Sequence, residues 1–176
     1  MKQSGKVALG GILAALSLIF MFLTIFPYAT YALPAIAGAV LIPIVVELGV
    51  KWGWMVYAAV SVLSLFIAPS MEAKVMFIAF FGYYPVLKAS LEKIHNHVLE
   101  WIIKLAVFNV TMVVSYWLML QFFGLEADAF EVFGVNVPYI ILAAGNVVFL
   151  VYDMALTNVI TAYIKSLHPR LSRMFK

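Results

Sequence analysis

The chain has 176 residues, 66% of them hydrophobic and 11% charged, with a mean hydropathy of +1.08. A soluble domain carries about 25% charged residues, so this balance sets the chain apart from water-soluble folds. The formal net charge of +3 comes without a basic stripe interleaved with aromatics, which argues against nucleic acid. The absence of cysteine excludes disulfides, thiolate catalysis and Cys-ligated metals.

Six apolar runs follow in chain order, at 7–26, 33–50, 52–68, 75–91, 101–123 and 137–164. A helix needs about 20 apolar residues to cross a bilayer core, and the third and fourth runs are near the lower limit of about 17. Lys2 and Lys6 precede the first run and Pro27 ends it. At about 20 residues this run exceeds the apolar stretch of a signal peptide, so a retained helix is expected. Pro34 opens the second run, and Gly49 and Gly53 bracket a tight turn around Lys51 and Trp52. Pro69 closes the third run, while Pro43 and Pro85, inside runs, predict kinks. The polar segment 88–100 is expected to continue the fourth helix and then turn along the membrane surface. The longest connection, 124–136, leads to Pro138 at the start of the last run.

Ten of the eleven Lys and Arg residues fall in or flank alternate gaps: Lys2, Lys6, Lys51, Lys88, Lys93, Lys104, Lys165, Arg170, Arg173 and Lys176. The other gaps hold Lys74 with Glu72, Glu126, Asp128 and Glu131. Cytoplasmic loops carry an excess of Lys and Arg. The expectation is an all-α integral membrane protein, a single domain over 1–176, with six transmembrane helices and both termini cytoplasmic. Trp52, Trp54, Trp101, Tyr28, Tyr31 and Tyr139 fall near the expected water interfaces, as an aromatic belt requires.

Four features bear on function. The first run pairs small residues four apart, Gly10 with Ala14 and Gly11 with Ala15. Such spacing lets two helix backbones approach closely, either inside the bundle or against another membrane subunit. Ionisable and amide residues inside or near the runs come second: Asp153, Glu47, Lys88 and Asn109 predict one inner polar cluster, with Lys88 or Asn109 beside Asp153. Its two readings are a structural network and a proton relay. Third, an outer rim gathers Tyr31, Glu72, Trp117, Tyr139 and Asn146, with Tyr84 deeper. Aromatic walls with a few polar groups suit a small-molecule pocket, and an acidic mouth favours a neutral or cationic ring. Tyr84, Trp117 and Asn146 are the leading candidates for contact. Fourth, His95 and His97 stand one residue apart, which on a helix separates them and disfavours a shared metal. The chain has no P-loop and no catalytic constellation, so neither an enzyme nor a bound cofactor is expected.

The segment ALGGILAALSL and the last run, GNVVFLVYDMALTNVITAYIKSLHPRL, carry a resemblance. With six short helices and both ends inside, the chain resembles the substrate-binding S component of energy-coupling factor vitamin transporters. The resemblance implies capture of a vitamin-like solute from outside. It also implies a membrane coupling subunit docked on the first helix, at Gly11 and Ala15 with Gly10 and Ala14 adjacent, and two cytosolic ATPase subunits. A prokaryotic plasma membrane is the implied location. The alternative is a non-transporting scaffold of cell-wall machinery, similar to the MreD family.

Overall fold

The computed structural model describes residues 3–123, 131–132 and 135–169. Helix α1 (Gln3–Phe22) is followed by short 3₁₀ turns at Leu23–Ile25 and Pro27–Ala29. Then come α2 (Ala32–Ala39), α3 (Ile42–Leu48) and α4 (Val50–Ile67). Helix α5 (Met71–Met76) runs through a π-helical turn, Phe77–Phe81, towards α6 (Tyr84–Leu91). Helix α7 (His97–Phe123) and helix α8 (Val137–Ser166) are the longest. A pair of two-residue strands, β1 (Glu131–Val132) and β2 (Val135–Asn136), sits just before α8.

Among the described residues, four stretches are long and apolar enough to cross a membrane: Gln3–Ile25, Val50–Ile67, His97–Leu118 and Ile140–Ser166. The second and fourth apolar runs fold as interrupted helices instead. In the second, Leu41 N–H turns to the Gly38 carbonyl, and Pro43 opens α3. The Ala37 carbonyl, deprived of its usual donor, accepts the Ser17 hydroxyl of α1 at 2.9 Å. In the fourth, Gly82 N–H reaches back five residues to the Phe77 carbonyl. The Ile78 carbonyl, bypassed by that step, accepts the Tyr57 hydroxyl of α4 at 2.6 Å. Pro85 has no N–H for the Phe81 carbonyl. That carbonyl lies so close to Gly38 that a Cβ there would stand 1.9 Å from it. The two interruptions therefore touch backbone to backbone, and hydroxyls of intact neighbours satisfy carbonyls they free.

The turn between α3 and α4 falls on Gly49, whose φ of 90° is in the left-handed region that glycine adopts freely. Lys51 and Trp52, expected in that turn, belong to the first turn of α4. The expected helical extension over 88–100 is also corrected: α6 ends at Leu91, and Asn96 Oδ1 accepts Val98 N–H at 3.0 Å to start α7. Asn is a strong N-cap, which is why the chain restarts a helix there.

Two apolar clusters fill the interior. One joins α1 to α5 through Met21, Leu41, Ile44, Val60 and Phe77. The other joins α3, the π turn and α6 to α8 through Ile42, Phe80, Tyr84, Phe108, Phe149 and Leu156. Phe80 stacks on Tyr84 with centroids 4.8 Å apart, and Phe108 on Phe149 at 4.7 Å. Large apolar side chains such as Ile12, Phe66 and Val148 cover the outside, whereas Ser17, Ser64, Lys88 and Asp153 are buried. Apolar surface outside and polar groups inside are compatible with a multi-pass membrane protein.

Candidate functional site

Asp153, on α8 and 3% exposed, is the hub of a buried charge network. Its Oδ1 accepts from Tyr84 Oη and from Lys88 Nζ, both at 2.6 Å. Its Oδ2 accepts from Lys104 Nζ at 3.3 Å. Lys88 also pairs with Glu92 at 2.7 Å, and Lys104 with Glu100 at 2.7 Å and Glu92 at 3.8 Å. Lys104 lies 5.0 Å from the Trp101 ring centroid, a cation–π contact. His97 Nδ1, at the water-exposed start of α7, is 3.3 Å from Glu100.

Helical spacing builds this arrangement. Tyr84, Lys88 and Glu92 are four apart on α6 and its end, and Glu100 and Lys104 are four apart on α7, so each set shares one face. The buried Asp153 then ties α6, α7 and α8 together. Lys88 is fully buried and Lys104 is 2% exposed. Ions taken out of water need this degree of pairing, because a lone one would be severely penalised. Sequence reasoning singled out Lys88 and Asp153 but missed Glu92, Glu100 and Lys104, which read as polar flanks. The signal that finds them is the four-residue spacing of opposite charges.

The expected single inner cluster is in fact three separate groups. Asn109 is not beside Asp153. Its amide exchanges two hydrogen bonds with that of Asn146, at 2.8 and 3.0 Å, linking α7 to α8. Each amide also donates to the carbonyl four residues back, Leu105 and Leu142 respectively. Glu47 accepts from the Tyr163 hydroxyl at 2.9 Å and lies 2.8 Å from His168 Nδ1, joining α3 to the end of α8. The structure does not place Glu47 in the Asp153 network.

Among the described rim candidates, Tyr31 and Glu72 touch each other, and no hydrogen bond joins Tyr84, Trp117 or Asn146 to them or to one another. Tyr31 Oη reaches Glu72 at 3.4 Å, and burial with the nearby carboxylate pushes its phenol up. Tyr84 is fully buried with its hydroxyl on Asp153, and Trp117 is 58% exposed on α7. Asn146 has both amide protons engaged. The side chain of Tyr139 lies outside the described residues, as do Glu126 and Asp128. One cleft of about 190 Å³ lies between α3, α6 and α8, lined by Ile42, Val45, Val46, Pro85, Ala89, Glu92 and Ile160. None of the expected ligand contacts lines it.

On α1 the small residues divide. Gly10 is buried, 3.5 Å from Val56 by its would-be Cβ, and Ala14 packs against the first cluster. For these two the packing lies inside the bundle, the first of the two readings, rather than on the face that the resemblance implies for a partner. Gly11 would meet nothing within 4 Å, and Ala15 is exposed beside Ile12, Leu16 and Ile19. Among the described residues no three His, Asp or Glu gather as a metal site.

Fold and site together define an all-helical protein with an apolar exterior and a buried ionic hub. Compared with protein-family models, curated proteins and solved structures, the chain has no match.

Proposed function

We propose that the chain is the membrane-embedded substrate-capture subunit of an ATP-driven micronutrient transporter, similar to the S components of energy-coupling factor systems. In this reading six helical passes, two of them interrupted, cross a prokaryotic plasma membrane with both termini in the cytoplasm. A membrane coupling subunit and two cytosolic ATPase subunits supply the work. The chain is not an enzyme, needs no cofactor and binds a neutral or cationic vitamin-like ring from the outer face.

The observation that carries this reading is the open seam on α1. Gly11 and Ala15 face outward, four residues apart, with no neighbour over Gly11. Small residues at this spacing admit a second helix backbone. The test is co-expression with the coupling and ATPase subunits of such a transporter, followed by affinity purification. A stable complex lost in Gly11→Leu supports the reading; failure of the unaltered chain to assemble with any of them defeats it.

A second reading is a scaffold without ligand, since none of the expected ligand contacts lines the described cleft between α3, α6 and α8. A thermal-shift panel of water-soluble vitamins separates the two. A ligand at 100 times its Kd stabilises the native state by about 2.7 kcal/mol.

A further inference from the structure

The buried network holds three carboxylates, Asp153, Glu92 and Glu100, against two ammonium groups, Lys88 and Lys104. Counting His97, 3.3 Å from Glu100, as neutral, it is one negative charge in excess. Glu92 is where that excess meets the surroundings: its side chain is 38% exposed, against 5% for Asp153 and 9% for Glu100. Both ammonium contacts to Glu92 fall on Oε1. Among the described residues no hydrogen bond reaches Oε2. Among the described residues, Glu92 is also the sole charged side chain lining the cleft between α3, α6 and α8, whose other walls are aliphatic.

An aliphatic slot with one glutamate in its wall suits a group that is apolar along its length and cationic at its tip. Lys and Arg lay a methylene stem along apolar surface and carry the charge at its tip. We propose that this cleft is a docking notch for a Lys or Arg side chain of a partner polypeptide, whose cationic head binds Glu92. A lipid amine would bring its phosphate towards the same carboxylate, whereas a basic side chain brings positive charge alone. The cleft volume suits one side chain rather than a drug-sized solute. The notch lies on α3, α6 and α8, away from the α1 seam, so it goes beyond the coupling-subunit reading and stands without it.

The test uses n-hexylammonium and n-hexylguanidinium as isolated side-chain mimics on the purified full-length protein, with n-hexanol as the uncharged control. Saturable thermal stabilisation by the two cations and none by hexanol is expected. Glu92→Gln should weaken the response about tenfold, the value of a charge-assisted hydrogen bond. Ala89→Trp, which fills the slot but keeps the carboxylate, should abolish it and serves if Glu92→Gln does not fold. Equal stabilisation by hexanol, or an undiminished response in a folded variant, overturns the proposal. In native membranes, a photo-cross-linker at Ala89 should capture a Lys- or Arg-bearing peptide segment, displaced by hexylguanidinium. Capture of lipid alone overturns the polypeptide assignment.

Discussion

Tyr84 and Lys88 donate to the same oxygen of Asp153, each at 2.6 Å, from successive turns of one helix. One carboxylate oxygen thus fixes the rotation of α6 against α8, while the other oxygen meets Lys104 of α7. The order of effects on removing each member follows from the charge count. Lys88→Met leaves three carboxylates facing one ammonium and should destabilise by about 3–5 kcal/mol, the usual result of breaking a buried pair. Asp153→Asn leaves two of each sign and should be milder. Unfolding in detergent checks the order, and a double-mutant cycle on the pair should return a coupling above about 1 kcal/mol. Equal losses for the two single variants would contradict the count.

The interrupted helices give the second prediction. A Cβ at Gly38 would stand 1.9 Å from the Phe81 carbonyl oxygen, whereas one at Gly11 would touch nothing. Gly38→Ala must push two backbones apart and should destabilise by about 1–3 kcal/mol or more. Gly11→Ala should lie within about 0.5 kcal/mol of the parent. Melting temperatures of the isolated protein decide between them, and similar values for the two variants would remove the close backbone contact.

Hydroxyls give the third. Tyr57→Phe strips the donor from the Ile78 carbonyl at the π turn and should lose about 1–3 kcal/mol. Tyr152 also has a buried hydroxyl, but among the described residues it has no partner. Tyr152→Phe should therefore be neutral or stabilising. A reversed ranking by thermal unfolding would show that the first hydroxyl is dispensable.

These features differ in how far the sequence discloses them. Apolar run lengths mark the four stretches that could cross a membrane because run length and composition are local, and Pro43 and Pro85 mark the interruptions because a missing N–H is local too. Gly38 is invisible as a contact point until α2 meets the π turn, since nothing in its neighbourhood distinguishes it from other helix glycines. Lys104 sits at the start of the fifth run beside a cation-rich gap and reads as a flank, yet helix geometry turns it inward onto Asp153. Glu47 pairs with residues 116 and 121 positions away, a separation no local pattern encodes. Asn109 and Asn146 stood out as polar residues within apolar runs, but only the packing of α7 on α8 makes them partners.

The fourth prediction concerns topology. The chain has no cysteine, so single-cysteine variants label cleanly. The proposed topology, drawn from cation asymmetry, puts Ser4 and Lys93 in the cytoplasm and Asp128 outside. In intact cells an impermeant maleimide should modify Asp128→Cys and spare Ser4→Cys and Lys93→Cys. The opposite pattern would invert the protein in the membrane and move the Glu92 notch to the outer face.

The last prediction separates packing from ligand contact at Asn146. Its amide gives both protons away, to Asn109 and to the Leu142 carbonyl, and accepts one in return from Asn109. Asn146→Ala removes these bonds and leaves the Asn109 amide without its cross-helix partner inside the bundle. At about 1–3 kcal/mol for an unsatisfied buried polar group, the variant should melt well below the parent. Its affinity for whichever vitamin stabilises the parent should be unchanged, because both amide protons of Asn146 are already engaged within the protein. Tyr31 and Glu72 stand apart from that pair and hydrogen-bond each other instead. Glu72→Gln should then weaken binding of a cationic ring while leaving the melting temperature of the empty protein within a degree or two, since an exposed charge contributes little to stability. Measuring both quantities on both variants gives a crossed result: stability lost without affinity in one, affinity lost without stability in the other. Affinity lost in Asn146→Ala at temperatures where the variant is fully folded would return that residue to the binding site and require its amide to exchange partners on binding.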